Sequence, residues 1–165
     1  KKIINNNILF MKKNYIDFYN NLIRLSTNKA LYKDFNKQDT FSDRLNILLL
    51  HFAFILKNYK NENNKNTLQE IYDFNFRQLE LNIREIGYGD QSINKKMKDY
   101  INLFHSMVSE LHFWEKLSKN DRLKKLSLFL EDFNNIEYLL DYFEIFNHQL
   151  SKKTLNSFIK SVSND

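Results

Sequence analysis

The chain has no cysteine and no proline, and only two glycines in 165 residues. Without cysteine there is no disulfide, no thiolate nucleophile and no cysteine-based zinc or iron–sulfur site. Without proline, and with so little glycine, a β-rich fold of this size would lack the residues that tight turns usually draw on. The turns must come from Asn, Asp, Ser and Lys, and the fold class that follows is all-α. Long apolar runs are missing too. The longest, LNILLLHFAFIL at residues 45–56, has the length of a buried core helix and falls short of the roughly 20 residues a membrane span needs. The opening KKIINNNILFMKKN has a basic pair, but its apolar part is too short and too broken by Asn for a secretory signal.

What the chain does have is material for a core. Hydrophobic residues make up 42% and aromatics 15%, whereas disordered chains are poor in aromatics. The length fits one domain. It is placed at residues 15–165, with residues 1–14 as an N-terminal extension expected to be flexible. The formal charge of +5, from 25 basic and 20 acidic residues, suits weak attraction to an acidic surface such as ribosomal RNA or anionic headgroups and requires neither.

Apolar spacing predicts a single compact domain of about six to seven helices with a central buried one. The first covers residues 15–25, and a short one covers 30–35. Asp39 or Thr40 is placed to cap the next helix, over residues 41–59, which is apolar nearly all round in its centre and so belongs in the middle of the fold. A polar loop, ending in KNENNKN, follows to residue 66. Helices then run over 67–86, with Leu68, Ile71, Tyr72, Leu79, Ile83 and Ile86 on the apolar side, and over 91–114. The remainder is read as helices through residue 133, through residue 150 and over 152–162, packed less tightly than the middle. Trp114, beside the polar break SKND, is the aromatic most expected to be partly exposed.

Both glycines stand in REIGYGDQSINKKMK, residues 84–98. Gly87 follows a long helix, the preferred site for a left-handed residue that avoids a Cβ clash. Gly89 lets the chain reverse, and Asp90 is placed to cap the free N–H groups of the next helix. All this describes a helix-to-helix corner. The same stretch gathers Arg84, Glu85 and Asp90 beside Lys95, Lys96 and Lys98. Cations on the first turns of a helix oppose its dipole, so the lysines serve either a solvated face or a partner.

REIGYGD, followed by KKMK and then Phe104, resembles the signature of the ubiquinol–cytochrome c chaperone family. That signature is an Arg-Glu-x-Gly-x-Gly-Asp corner followed by basic residues, Met-Lys and an aromatic. Upstream, YKDFNKQDTFSDRLNILLLHFAFIL resembles the family's second block, with Tyr32, Asp39, Thr40, Arg44, Leu50 and His51 at the matching positions. The likeness covers roughly residues 19–114. The chain departs from it at Asp43, where the family often has Gly, and at Gln91, where it often has Leu or Val.

The resemblance implies a non-enzymatic assembly chaperone that binds newly made cytochrome b and promotes assembly of ubiquinol–cytochrome c reductase, with no cofactor and no metal. It implies a location on the cytoplasmic face of a bacterial membrane or the matrix side of the mitochondrial inner membrane. A small helical partner protein and the ribosome are further implied partners, and the protein would associate peripherally with the membrane. No DNA partner is implied. The partner-binding candidates are Arg44, Arg84, Glu85, Asp90, Lys95, Lys96 and Lys98. The motif's structural members are Asp39, Thr40, His51, Gly87, Gly89 and Phe104. The alternative is a basic helical module docking on RNA or the ribosome, whose binding would fall steeply with salt.

Other chemistry is thinly supported. His51 reads as a satisfied core histidine, and the resemblance adds a hydrogen bond to the Asp39, Arg44 or Asp90 cluster. His105 and His112, seven apart, share a helix face but lack carboxylates at ligand spacing, and no paired Glu-x-x-His pattern occurs. There is no Gly-x-Ser-x-Gly elbow, phosphate loop or dinucleotide fingerprint.

Overall fold

The computed structural model describes residues 2–35, 37 and 39–163, with side chains from residue 14 onward. Among the described residues are seven α-helices and no strand: α1 Lys2–Ser26, α2 Phe41–Tyr59, α3 Lys65–Ile86, α4 Asp90–Leu111, α5 Lys119–Ser127, α6 Ile136–Ser151 and α7 Leu155–Ser163. Short 3-10 turns occupy Lys29–Tyr32, Glu62–Asn64 and Trp114–Lys116. The expected helix over 30–35 is the first of these. The backbone of α1 is helical from Lys2, well before the expected start at residue 15.

Thr40, not Asp39, caps α2. Its hydroxyl accepts from the Asp43 N–H at 3.2 Å, and the Asp43 carboxylate accepts from the Thr40 N–H at 2.9 Å. This reciprocal box satisfies two otherwise orphaned donors. It also gives the buried Asp43 carboxylate its hydrogen-bond partners. Every residue from Ile47 to Ile55 is buried, so α2 is the hub. Helix α1 packs on α2, α3 and α7, α4 packs on α2, and α6 packs on α2 and α5.

Aromatic rings fill the joints. Phe52 of α2 stacks on Phe104 of α4 with centroids 4.8 Å apart, and Phe54 stacks on Phe143 of α6 at 5.3 Å. Phe18 meets Phe52 and Phe158 edge-on, which joins α1 to α2 and α7. Each such ring contributes about 2 kcal/mol through burial, and favourable pair geometry adds about 1 kcal/mol.

The C-terminal third is as well packed as the rest, contrary to expectation. Leu139, Leu140, Phe143, Leu150 and Leu155 are all buried. Helix α5 stops at Ser127 rather than near residue 133, and turns carry the chain to α6. Asn135 in that connection donates from its side chain to the Leu31 carbonyl at 3.2 Å, pinning the C-terminal part to the first 3-10 turn.

Trp114 also corrects the expectation of partial exposure: it is 1% exposed, and its neighbour Phe113 is the exposed ring. Trp114 sits edge-on to Phe54 at 5.2 Å, while its carbonyl accepts from Arg122 Nε at 2.9 Å. The polar break beside it is capped by Ser118, which accepts from the Asp121 N–H. A polar break in sequence therefore says little about which way the preceding ring points.

His51 is fully buried and bonded at both ring nitrogens, to the Ile47 carbonyl and the Tyr142 hydroxyl, each at 2.7 Å. A carbonyl only accepts, so Nδ1 carries the proton and Nε2 accepts from Tyr142. No contact reaches Asp39, Arg44 or Asp90, and the hydrogen bond to that cluster is not made. Burial pushes the His51 pKa down to about 4, so the ring is neutral at ordinary pH.

Candidate partner-binding site at the α3–α4 corner

Gly87 closes α3 with φ 102° and ψ 16°, and its N–H returns to the Arg84 carbonyl at 3.0 Å. This left-handed position is where glycine is needed. Gly89 is different. At φ −70° and ψ 158° it is ordinary extended backbone, and a Cβ there would meet open space. Gly89 is itself the N-cap residue of α4, so Asp90 lies in the first helical turn and does not cap.

The Asp90 carboxylate instead accepts from Arg84 Nη1 at 2.6 Å, across the corner. Arg84 Nη2 donates to Glu80 at 3.0 Å, one turn back along α3. The hydrogen bonds to Asp90 and then Glu80 push the guanidinium pKa up. Arg84 thus joins the end of α3 to the start of α4. Lys96 lies 4.6 Å from the centroid of the Tyr88 ring, a cation–π contact that places a lysine of α4 over the linker.

The structure brings Arg84, Asp90 and Lys96 together, along with Glu80 and Tyr88, which were not among the candidates. Lys95 and Lys98 are exposed on the same stretch of α4. Lys98 lines a groove of about 960 Å³ together with Tyr15 of α1 and Glu80 of α3. Glu85 is exposed, and its charge adds to the burial that raises the Tyr19 pKa to about 12.

Arg44 is elsewhere. It pairs with Asp39 at 2.8 Å, in a pocket with Thr27, Lys29 and Tyr32 at the start of α2. Phe104 and His51 are core residues. The two sequence blocks do meet in space, through Phe52 against Phe104, and that contact is apolar.

Apolar exposure at the corner was missed. Leu81, Ile86 and Tyr88 are 47%, 56% and 46% exposed. Ile86 was counted on the apolar side of its helix, but it is the last residue of α3 and is left exposed. No run of residues signals this, because it depends on where α1 and α4 end in space.

Among the described residues no group of three His, Asp or Glu side chains could hold a metal ion, and no helix is long and apolar enough to cross a membrane. His105 is occupied by the Tyr72 hydroxyl at 3.0 Å.

The corner thus presents exposed ion pairs with exposed apolar side chains beside them. The family model described as Ubiquinol-cytochrome C chaperone matches residues 33–125, and the chain belongs to that family. Neither the curated proteins nor the solved structures compared with it include a match. Membership supports a chaperone role in assembly of complex III, the ubiquinol–cytochrome c reductase, and implies a non-enzymatic one.

Proposed function

We propose that the protein binds newly made cytochrome b, or an early assembly intermediate of it, at the α3–α4 corner and shields it until further subunits join. The observation that carries this reading is the co-location of exposed Ile86 and Tyr88 with the Arg84–Asp90 pair and the lysines of α4. Apolar side chains would cover hydrophobic client segments, and the charged rim would orient them and disfavour other partners. Gly87 holds the rim in register. Capture would occur where the client emerges, at the bacterial cytoplasmic face or the mitochondrial matrix side, with the ribosome and a small helical protein as neighbours.

Deletion in the host is the direct test. Loss of assembled cytochrome b with its transcript intact is the expected result, and normal levels of the complex would sink the proposal. Complementation by the exposed variants Ile86→Asp and Tyr88→Asp then addresses the corner. Both should leave helicity unchanged and fail to restore cytochrome b, and full rescue would move the client site elsewhere. Lysines 95, 96 and 98 favour a second reading, docking on ribosomal RNA. In that case, binding to purified ribosomes would fall steeply as salt rises, whereas capture of an apolar client would not.

A further inference from the structure

Two grooves flank the aromatic ring of Tyr72, similar in size and opposite in charge. The groove of about 960 Å³ that reaches α1 is lined by three acids, Glu70, Asp73 and Glu80, against Arg77 and Lys98. The other, about 940 Å³, lies between the end of α2, the start of α3 and the end of α4. It holds Lys60 and Lys65 against a single acid, Glu62, with the His105 and His112 rings beside them. Its apolar surface comes from Leu56, Leu68 and the Tyr72 ring.

The register is regular. Lys65, Leu68, Gln69 and Tyr72 fall at i, i+3, i+4 and i+7 and form one face of α3. His105 on α4 and His112, the residue that caps the C-terminal end of α4, line the facing side. Leu68 is buried, Leu56 is half-buried, and both lysines and both histidines are exposed. The result is a slot with an apolar base and a cationic rim. The Tyr72–His105 hydrogen bond, at 3.0 Å, ties the two walls together.

We propose that this groove binds an amphipathic anion, its alkyl chain against Leu56, Leu68 and the Tyr72 ring and its carboxylate or phosphate head between Lys60 and Lys65. Ammonium groups make charge-assisted hydrogen bonds to such heads, and the apolar walls stabilise the chain by removing it from water. This ligand site is separate from the α3–α4 corner and does not depend on the client proposed for it.

The probes are dodecanoate, monododecyl phosphate and the uncharged dodecyl maltoside, all below their micellar concentrations, titrated by calorimetry into the full chain. Saturable one-to-one binding of the anions is expected, with the maltoside at least about tenfold weaker, since one charge-assisted hydrogen bond is worth about that. Comparing dodecanoate with the phosphate shows which head is preferred. Lys60→Glu with Lys65→Glu, both at exposed positions, should weaken the anions about tenfold or more. Gln69→Trp should block the slot without changing its charge. Circular dichroism checks that both variants are folded. No binding, equal binding of anion and maltoside, or unchanged binding in both folded variants would overturn the proposal.

Discussion

The molecule keeps two sets of polar side chains that do opposite jobs. One lies beneath and beside α2. Lys57 is bonded to Glu115, and Asn147 joins both Glu115 at 3.2 Å and Asn58 at 2.7 Å. Arg122 donates to Glu144 at 3.0 Å and to the carbonyls of Trp114 and Glu115, and His51 holds Tyr142. The other is the α3–α4 corner, where Glu80, Arg84 and Asp90 lie within eleven residues and every partner is exposed or nearly so. The interior set clamps helices that are far apart in the chain, and at its buried members, Lys57 and His51, water cannot readily replace a lost partner. The corner set shapes a surface, and water can replace any of its bonds. Loss of an interior partner should therefore be felt in stability, and loss of a corner partner in binding.

The largest expected effect is on the interior side. The folded His51 pKa of about 4 lies below the ordinary histidine value of 6.5, so below about pH 6.5 the unfolded chain takes up a proton that the folded chain refuses. The contribution to stability is complete above that pH and is lost as pH falls toward 4, by roughly 3 kcal/mol in all. Urea unfolding at pH 7 and pH 4.5, followed by emission of Trp114, the sole tryptophan, measures it. His51→Gln should lose most of the difference between the two pH values, and an identical pH dependence in the variant would remove His51 from the account.

Glu115→Ala comes next. It leaves the Lys57 ammonium, whose side chain is only 9% exposed, with the long 3.4 Å bond to Asn147 Oδ1, and strands one donor of Asn147, which costs about 2 kcal/mol. Lys57→Met should cost less, about 1 kcal/mol, because Glu115 is half in water and can be resolvated. Equal costs would mean that the pair is not anchored at its lysine end. Burial raises the Glu115 pKa, but the bonds from Lys57 and Asn147 outweigh this and leave it lowered. Its contribution is therefore present above the ordinary carboxylate range and is lost as pH falls through its depressed value.

The two glycines should separate. Gly87→Ala forces a left-handed alanine and costs about 1 kcal/mol, whereas at Gly89 the poorer N-cap preference of alanine is offset by the lower entropy of its unfolded chain, and the net change stays within about 0.5 kcal/mol. Differential scanning calorimetry resolves the two, and equal losses would contradict the assigned backbone. Smallest of all, Arg84→Ala should leave the urea midpoint unchanged, since its ion pairs are exposed, while cytochrome b assembly falls. A clear drop in stability would make the corner a structural clamp like the interior set.

The difference in sequence separation explains which features could be foreseen. Thr40, Asp43 and the α2 boundaries are local: a capping box and an apolar run lie within consecutive residues. The Gly87 cap is local too. Arg84 with Asp90 was legible as a cluster because six positions separate them, though the use of Asp90 was not. An N-cap role and an ion pair across the corner draw on the same carboxylate, and only the placement of Arg84 decides between them. Lys57 with Glu115, Asn147 with Asn58 and His51 with Tyr142 span 58, 89 and 91 positions. Nothing in a single sequence pairs them.

The sequence by itself determined the helices, the central place of α2, the need for glycine at 87 and the family-like pattern of the two blocks. These follow from short-range sterics, capping and apolar periodicity, which act within a turn or two of chain. Only the tertiary structure decided that Trp114 is buried, that Ile86 is bare, that Arg44 stands apart from the corner and that two grooves of opposite charge flank Tyr72. Each of those depends on which helix ends where, and helix packing sets that through contacts between residues far apart along the chain.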